Sequence, residues 1–230
     1  MSKYDVVIIG GSAAGLAAAI TAKRQYPGKK VLVIRKEGKV LVPCGIPYVF
    51  GTVGSTDKNL IPDAVLEKNG IELLQDEVTA IDREKTGVST KGGQTITYER
   101  LVIATGSGPA KPPIPGADSD GVFFIEKDVP YLNDMQAHLK KAKSVVLIGG
   151  GYIGVETGDE CKKAGVEKVT IVEMLPHCLM LAYDADICSG VDSYLTERGL
   201  ELKTGAKVKS IQAKDGKVTV VELDDGEVID

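Results

Sequence analysis

In the stretch VPCGIPY, Val42 to Tyr48, a lone thiol is framed by rigid residues: Cys44 follows Pro43, precedes Gly45 and lies three residues before Pro47. Pro43 fixes its own φ, Gly45 lets the backbone pass close to a flat partner, and Pro47 biases Ile46 to extended geometry. A thiol set between such residues is aimed rather than left loose. The competing expectation is an ordinary buried cysteine in a loop, the common fate of a free thiol.

Two glycine-rich turns supply a second kind of chemistry. In GGGYIG the spacing Gly149-x-Gly151-x-x-Gly154, with Tyr152 and Ile153 between, is a dinucleotide fingerprint. The first glycine makes the turn, the second admits a pyrophosphate against backbone N–H groups, and the third lets helix and strand pack closely. Glu173 ends the next strand, near the spacing expected for a carboxylate that accepts both ribose hydroxyls. That favours NADH over NADPH, because a 2′-phosphate would meet the carboxylate.

The turn near the amino terminus, GGSAAG, is looser. Gly10 and Gly15 fit the first and third glycines, but Ser12 replaces the second. In the following strand, VLVIRKE, Arg35 stands at the acid position and Glu37 comes two residues late. Either Glu37 reaches the ribose, or Arg35 and Lys36 contact phosphate, or both cations are simply solvated.

These residues need elements to hold them, and the same order of elements is written twice. Lys3–Ile9 reads as a strand, Gly10–Gly15 as a turn, Leu16–Gln25 as a helix and Lys30–Ile34 as a second strand. Ser144–Ile148, Gly149–Gly154, Val155–Ala164 and Lys168–Val172 repeat that order. Each is a βαβ unit, in which parallel strands require the crossover helix. Each is followed by a further strand, Gly70–Leu74 or Gly199–Leu202, and then by an antiparallel meander. The meander segments are Glu77–Asp82, Gly87–Lys91 and Gln94–Tyr98 in the first half. In the second they are Lys207–Ala213, Lys217–Leu223 and a start at Glu227–Asp230.

Between the halves, ATGSGPAKPPIPG, Ala104 to Gly116, marks a domain crossing by its Pro and Gly content. The expectation is an α/β chain with two Rossmann-like domains, residues 1–110 and 111–230, each a parallel sheet with helices plus a meander. The first half closes its meander with the apolar strand LVIATG, Leu101–Gly106, and the second shows no equivalent. By this internal comparison the second domain lacks about eight residues. Either the chain belongs to a longer protein or another chain completes the sheet.

Bulk properties exclude some classes. With 230 residues and a net charge of −4, mixed along the chain, there is no basic face for nucleic acid. His138 and His177 are not spaced as metal ligands and read as surface residues, and no metal is expected. Cys44, Cys161, Cys178 and Cys188 form no CxxC and no disulfide framework, which favours a reducing cytoplasm. No signal peptide and no membrane-length apolar segment is expected. The last three cysteines match no redox pair and read as core or surface thiols, and Met174–Met180 as packing beside the nucleotide turn.

Taken in order, GGSAAG, CGIPY, ATGSGPAKPPIPG and GGGYIGVE resemble the flavin-dependent pyridine nucleotide–disulfide oxidoreductases over essentially the whole chain. Within them the single cysteine resembles the branch of coenzyme A disulfide reductases, NADH oxidases, NADH peroxidases and persulfide or polysulfide reductases. The resemblance implies FAD on the first domain, with Gly10, Ser12, Ala13, Ala14 and Gly15 around its pyrophosphate, Ala104, Thr105 and Gly106 in the cofactor set, and Cys44 beside the isoalloxazine ring. It implies NADH on the second, with Tyr152 as a cover over the flavin and Glu156 towards the nicotinamide. Hydride would then pass from NADH through FAD to sulfur at Cys44.

The peroxidase and some oxidase members carry a histidine where this chain has Ala13. Its absence favours a disulfide, persulfide or polysulfide acceptor of the coenzyme A disulfide reductase type, with coenzyme A as candidate substrate or bound thiol, over oxygen or peroxide. The family often has Ser and Asn four and one residues before its cysteine, where Val40 and Pro43 stand here. The resemblance also implies a carboxy-terminal dimerisation domain and hence a homodimer of the full-length protein. Two alternatives stay open: an NADH oxidase or peroxidase, and a nucleotide-binding fragment without catalysis.

Overall fold

The computed structural model describes residues 2–230, which form two compact units. The first takes the chain up to Cys44, Asn59–Gly108 and Lys127–Val129; the second takes Gly45–Lys58, Pro109–Glu126 and Pro130–Asp230. Residues 1–110 are therefore not one continuous unit, because the segment after Cys44 folds with the second.

In the first unit β1 (Ser2–Ile9), α1 (Ala13–Gln25) and β2 (Val31–Arg35) make the expected βαβ unit, with Val6 to Ile9 paired parallel to Val31 to Ile34. A short hairpin follows, β3 (Val40–Leu41) with β4 (Leu60–Ile61), then α2 (Ala64–Lys68) and β5 (Glu72–Gln75). The meander is β6 (Val78–Asp82), β7 (Gly87–Thr90) and β8 (Thr95–Ile103). All except the hairpin join one six-stranded sheet in the order β5-β2-β1-β8-β7-β6.

Strand β2 up to Ile34 and the end of β1, Val6–Ile9, are apolar because both faces of the sheet are covered there. Ile8, Val31 and Val33 pack with Leu16, Ala19, Leu66 and Ile71 on one face. Val7, Ile9, Leu32 and Ile34 pack with Val88 and Ile96 on the other. Where the sequence suggests two strands, Gln94–Tyr98 and Leu101–Gly106, there is one, β8, and Ala104–Gly106 lie beyond its end. It is continuous because it runs parallel to β1 from Ile96 to Ile103 while its start also pairs antiparallel with β7. The half-buried Tyr98 and the exposed Glu99 and Arg100 interrupt the apolar pattern without breaking the ladder.

The second unit repeats the order: α3 (Val129–Leu139, whose first residue belongs to the first unit), β9 (Ser144–Ile148), α4 (Tyr152–Lys163), β10 (Lys168–Glu173), α5 (Ala185–Glu197) and β11 (Glu201–Thr204). The parallel sheet is β11-β10-β9, and β12 (Val208–Lys214), β13 (Lys217–Leu223) and β14 (Val228–Ile229) form a separate antiparallel sheet. Among the described residues β9 pairs only with β10, and the Ser144 hydroxyl donates to the Asp230 carbonyl at 2.9 Å.

The Pro- and Gly-rich stretch is a packed segment as well as a crossing. Ile211 N–H donates to the Pro115 carbonyl at 2.8 Å, and Ala117 is buried with Val172, Val208 and Leu223. Gly116, at φ +88°, lies so close to β12 that an added Cβ would be 1.9 Å from the Ile211 carbonyl oxygen.

Candidate functional site

The first turn is closed by backbone against backbone. Gly10 sits at φ +110°, and a Cβ there would lie 2.1 Å from the Ala104 carbonyl oxygen; one on Gly15 would lie 1.9 Å from the Gly10 oxygen. Ala104 N–H donates to Ile9 at 2.8 Å, which draws Ala104 and Thr105 against the turn, and Gly106 follows at φ +72°. Ser12 caps α1 in extended geometry without a side-chain hydrogen bond, and Ala13 and Ala14 are exposed on the first helical turn. Backbone N–H groups of such a turn have no partner within the helix, which suits them to a phosphate.

Arg35 departs from the reading that places it on phosphate. It is 4 % exposed. Its Nε donates to the Glu37 carbonyl at 2.9 Å, Nη2 to the Gly38 carbonyl at 3.2 Å and to Asp63 Oδ2 at 2.8 Å, and Nη1 pairs with Asp63 Oδ1 at 2.7 Å. Four of the five N–H donors are thereby committed within the protein. Lys36 is exposed and Glu37 half-buried, so of the three only Arg35 is withdrawn from solvent. Asp63→Ala leaves a buried guanidinium with two donors unpaired and is expected to cost about 1–3 kcal/mol in urea unfolding; an unchanged midpoint would show the fork to be dispensable.

The second turn repeats the geometry. Gly149 is at φ +108°, and a Cβ on Gly154 would lie 1.9 Å from the Gly149 oxygen. At Gly151, which caps α4, nothing lies within 4 Å of an added Cβ. Space is left where a pyrophosphate would approach. Glu173 reaches the turn: Gly150 N–H donates to its Oε2 at 2.6 Å and Leu175 N–H to its Oε1 at 2.8 Å.

Gly11 and Gly150 escape the sequence reading, although the doubled glycine in each motif is their signal. A Cβ on Gly11 would be 2.6 Å from Arg35 Cδ, and one on Gly150 2.8 Å from Cys178 Sγ and 3.0 Å from Glu173 Cβ. In both units the second glycine rests on the side chain that ends the second strand. Tyr152 and Ile153 are exposed on the first turn of α4, and Glu156 is half-buried behind them. Tyr183, not anticipated, stands edge-on to Tyr152 with ring centroids 6.1 Å apart, and its hydroxyl raises the Tyr152 phenol pKa.

Cys44 lies in the helical turn Pro43–Gly45 and is exposed, whereas Cys161, Cys178 and Cys188 are buried. Burial, with the Glu160 charge, pushes the Cys161 thiol up to about 12; burial, with Asp192, pushes Cys178 up to about 12. Those thiols stay protonated, so Cys44 is the one accessible for exchange.

Ile46 is not extended. It is αR at φ −61°, ψ −47°, and opens a second helical turn, Pro47–Val49, closed by Val49 N–H on the Ile46 carbonyl at 3.1 Å. The bias that proline imposes on its predecessor is overridden because Ile46 is 1 % exposed. Upstream, Asn59 holds the chain before the thiol, accepting from Val42 N–H at 2.9 Å and donating Nδ2 to the Val42 carbonyl at 3.0 Å. Val40, where the family often has serine, is buried in the β3–β4 hairpin.

His177 is half-buried rather than a surface residue, its Nδ1 2.8 Å from Asp192 Oδ2, while His138 is exposed. Among the described residues no group of three or more His, Cys, Asp or Glu could hold a metal ion, and no helix is long and apolar enough to cross a membrane.

Residues 4–230 match the family described as pyridine nucleotide-disulphide oxidoreductase. An NADH oxidase of Methanocaldococcus jannaschii is 34 % identical over 233 residues, covering 95 % of this chain and 50 % of that protein. A CoA-dependent NAD(P)H sulfur oxidoreductase of Pyrococcus abyssi is 34 % identical over 232 residues, covering 98 % and 51 %. The solved structure of an NAD-dependent persulfide reductase from A. fulgidus superposes with a TM-score of 0.88 at 30 % identity, over 97 % of this chain and 44 % of that one. The chain spans about half the length of the curated relatives it matches.

Proposed function

Because this chain belongs to the pyridine nucleotide-disulphide oxidoreductase family, we propose that the complete protein uses NADH and FAD to reduce a disulfide, persulfide or polysulfide at Cys44. The observation that carries the reading is the exposure of Cys44 while the other three thiols are buried. It is supported by two dinucleotide turns on the same chain and by the sulfur-reducing relatives.

The residues fit both cofactors. FAD belongs to the first turn, where Gly10 and Gly15 allow backbone to close on backbone and Ser12, Ala13 and Ala14 present the first helical turn. Ala104, Thr105 and Gly106 flank it, and Glu37 rather than Arg35 is the group left to meet the ribose. NADH belongs to the second, with Gly149, Gly151 and Gly154 at the pyrophosphate, Glu173 at the ribose, and Tyr152, Ile153 and Glu156 on the nicotinamide side. Bound flavin supplies the two-electron link between nicotinamide and sulfur. At Cys44 the thiolate displaces one thiolate from a disulfide acceptor, leaving a mixed disulfide on the protein. Two electrons then return Cys44 to the thiolate and release the second thiol.

Anaerobic NADH consumption by the complete protein with coenzyme A disulfide or polysulfide, compared with oxygen uptake lacking any sulfur acceptor, tests the assignment. Consumption only in oxygen would favour the second reading, an NADH oxidase, which the M. jannaschii relative supports by name. A homodimer and a cytoplasmic location belong to the same proposal. Glu173→Ala removes the carboxylate that a 2′-phosphate would face; it is expected to shift the NADH-to-NADPH preference by about tenfold or more towards NADPH, read as the ratio of kcat/KM values. An unchanged ratio would remove Glu173 from the specificity assignment.

A further inference from the structure

We propose that Glu160 is a positioning residue for Cys44, holding the segment that leaves the thiol on helix α4. This rests on the reading of Cys44 as the reactive thiol. Gly45, the next residue, opens Gly45–Lys58, which folds within the second unit. Glu160 lies two turns into α4 and is 1 % exposed. Its Oε2 accepts from Thr52 N–H at 2.5 Å, and its Oε1 accepts from the Thr52 hydroxyl at 2.9 Å and from Lys163 Nζ at 2.7 Å.

A buried carboxylate is costly unless its oxygens are filled. Here every partner other than Lys163 belongs to one residue of the Cys44 segment. The approach is close enough that Gly51 has no room for a side chain: a Cβ would be 2.5 Å from the Glu160 carbonyl oxygen and 2.7 Å from Oε2. Burial raises the carboxyl pKa, but Lys163 and Thr52 outweigh it and hold the group below the usual carboxylate range. The acceptor is therefore charged at neutral pH, and its bonds are of the stronger, charge-assisted kind.

Helix α3 adds neutral supports to the same segment. Gln136 Nε2 donates to the Val49 carbonyl at 2.9 Å and to the Gly54 carbonyl at 3.1 Å, and the Thr56 hydroxyl donates to Asn133 Oδ1 at 2.7 Å. Ile46, Val49 and Phe50 could be buried in many orientations, but these directional bonds select one. Helix α4 begins at the Gly149–Gly154 turn, so one rigid rod carries the nucleotide turn and, about 12 Å further along, the clasp on the thiol's segment.

The test uses the complete protein as wild type, Glu160→Gln, Thr52→Val and the double variant. Glu160→Gln is expected to slow sulfur-acceptor turnover about tenfold and to speed hydrogen exchange in the peptide containing Thr52 by about tenfold, while NADH reduces bound flavin at the wild-type rate. Thr52→Val, at an exposed position, is expected to reproduce part of the loss without a folding defect. The double variant should be no slower than Glu160→Gln, because both changes break one contact. Additive losses, or acceptor turnover unchanged in folded Glu160→Gln, would overturn the positioning role. A Cys44→Ser protein that still reduces sulfur would instead overturn the reading beneath it.

Discussion

Cys44→Ser is expected to lower sulfur-acceptor reduction by the complete protein about a thousandfold or more while NADH still bleaches bound flavin. Serine has nearly the same shape, and Cys44 is exposed, so neither packing nor folding should suffer. What disappears is the thiolate: a hydroxyl stays protonated at neutral pH and forms no mixed disulfide. The other thiols offer no substitute, since Cys161, Cys178 and Cys188 are each 1 % exposed or less. Anaerobic stopped-flow reduction, followed by addition of the acceptor, separates the two half-reactions. Retained turnover would move the chemistry away from this residue; loss of flavin reduction as well would give Cys44 a part in cofactor binding.

The largest structural loss is expected from Gly10→Ala. An L-residue at φ +110° is strained whatever the space, and here the added Cβ would also lie 2.1 Å from the Ala104 carbonyl oxygen and 2.7 Å from its carbon. Both obstacles are backbone, so no rotamer change relieves them. Moving the turn would break Gly10 N–H to Ile34 and Ala104 N–H to Ile9, each 2.8 Å. The expected cost is about 3 kcal/mol or more, a lowering of Tm by roughly 6–12 °C, with loss of bound flavin. Gly151→Ala is the control: it has an ordinary negative φ and open space around its Cβ. It should fold with an unchanged Tm and lose affinity only for NADH. Equal thermal stability of Gly10→Ala and wild type would refute the close-contact account of the first turn.

Much of the architecture is legible in residue order. The two βαβ units fall where apolar runs, glycine turns and alanine-rich or amphipathic segments place them, because strand burial and positive φ leave local marks. Helices α3 and α5 are not marked in that reading. Their apolar stripes are narrow: α5 buries only Cys188 and Leu195. The site divides along the same line. Gly10, Gly15, Gly149 and Gly154 are recognisable because their role is conformational. Gly11 and Gly150 owe theirs to the side chains of Arg35 and Glu173, which only the folded chain brings beneath them.

The amino-acid sequence by itself determined the paired dinucleotide turns, the repeat that carries them and the rigid setting of Cys44. Each depends on φ restrictions and apolar periods that neighbouring residues impose on one another. The tertiary structure decided which residue answers which across the chain. It gave Arg35 to Asp63, 28 residues on, and Thr52 to Glu160, 108 residues on. It also turned Ile46 helical against the preference of Pro47 and assigned Gly45–Lys58 to the second unit. A charged residue in a helix or strand carries no local sign of whether it meets solvent or a buried donor. That choice belongs to packing, because the cost of an unpaired buried charge is felt only once the chain has closed around it.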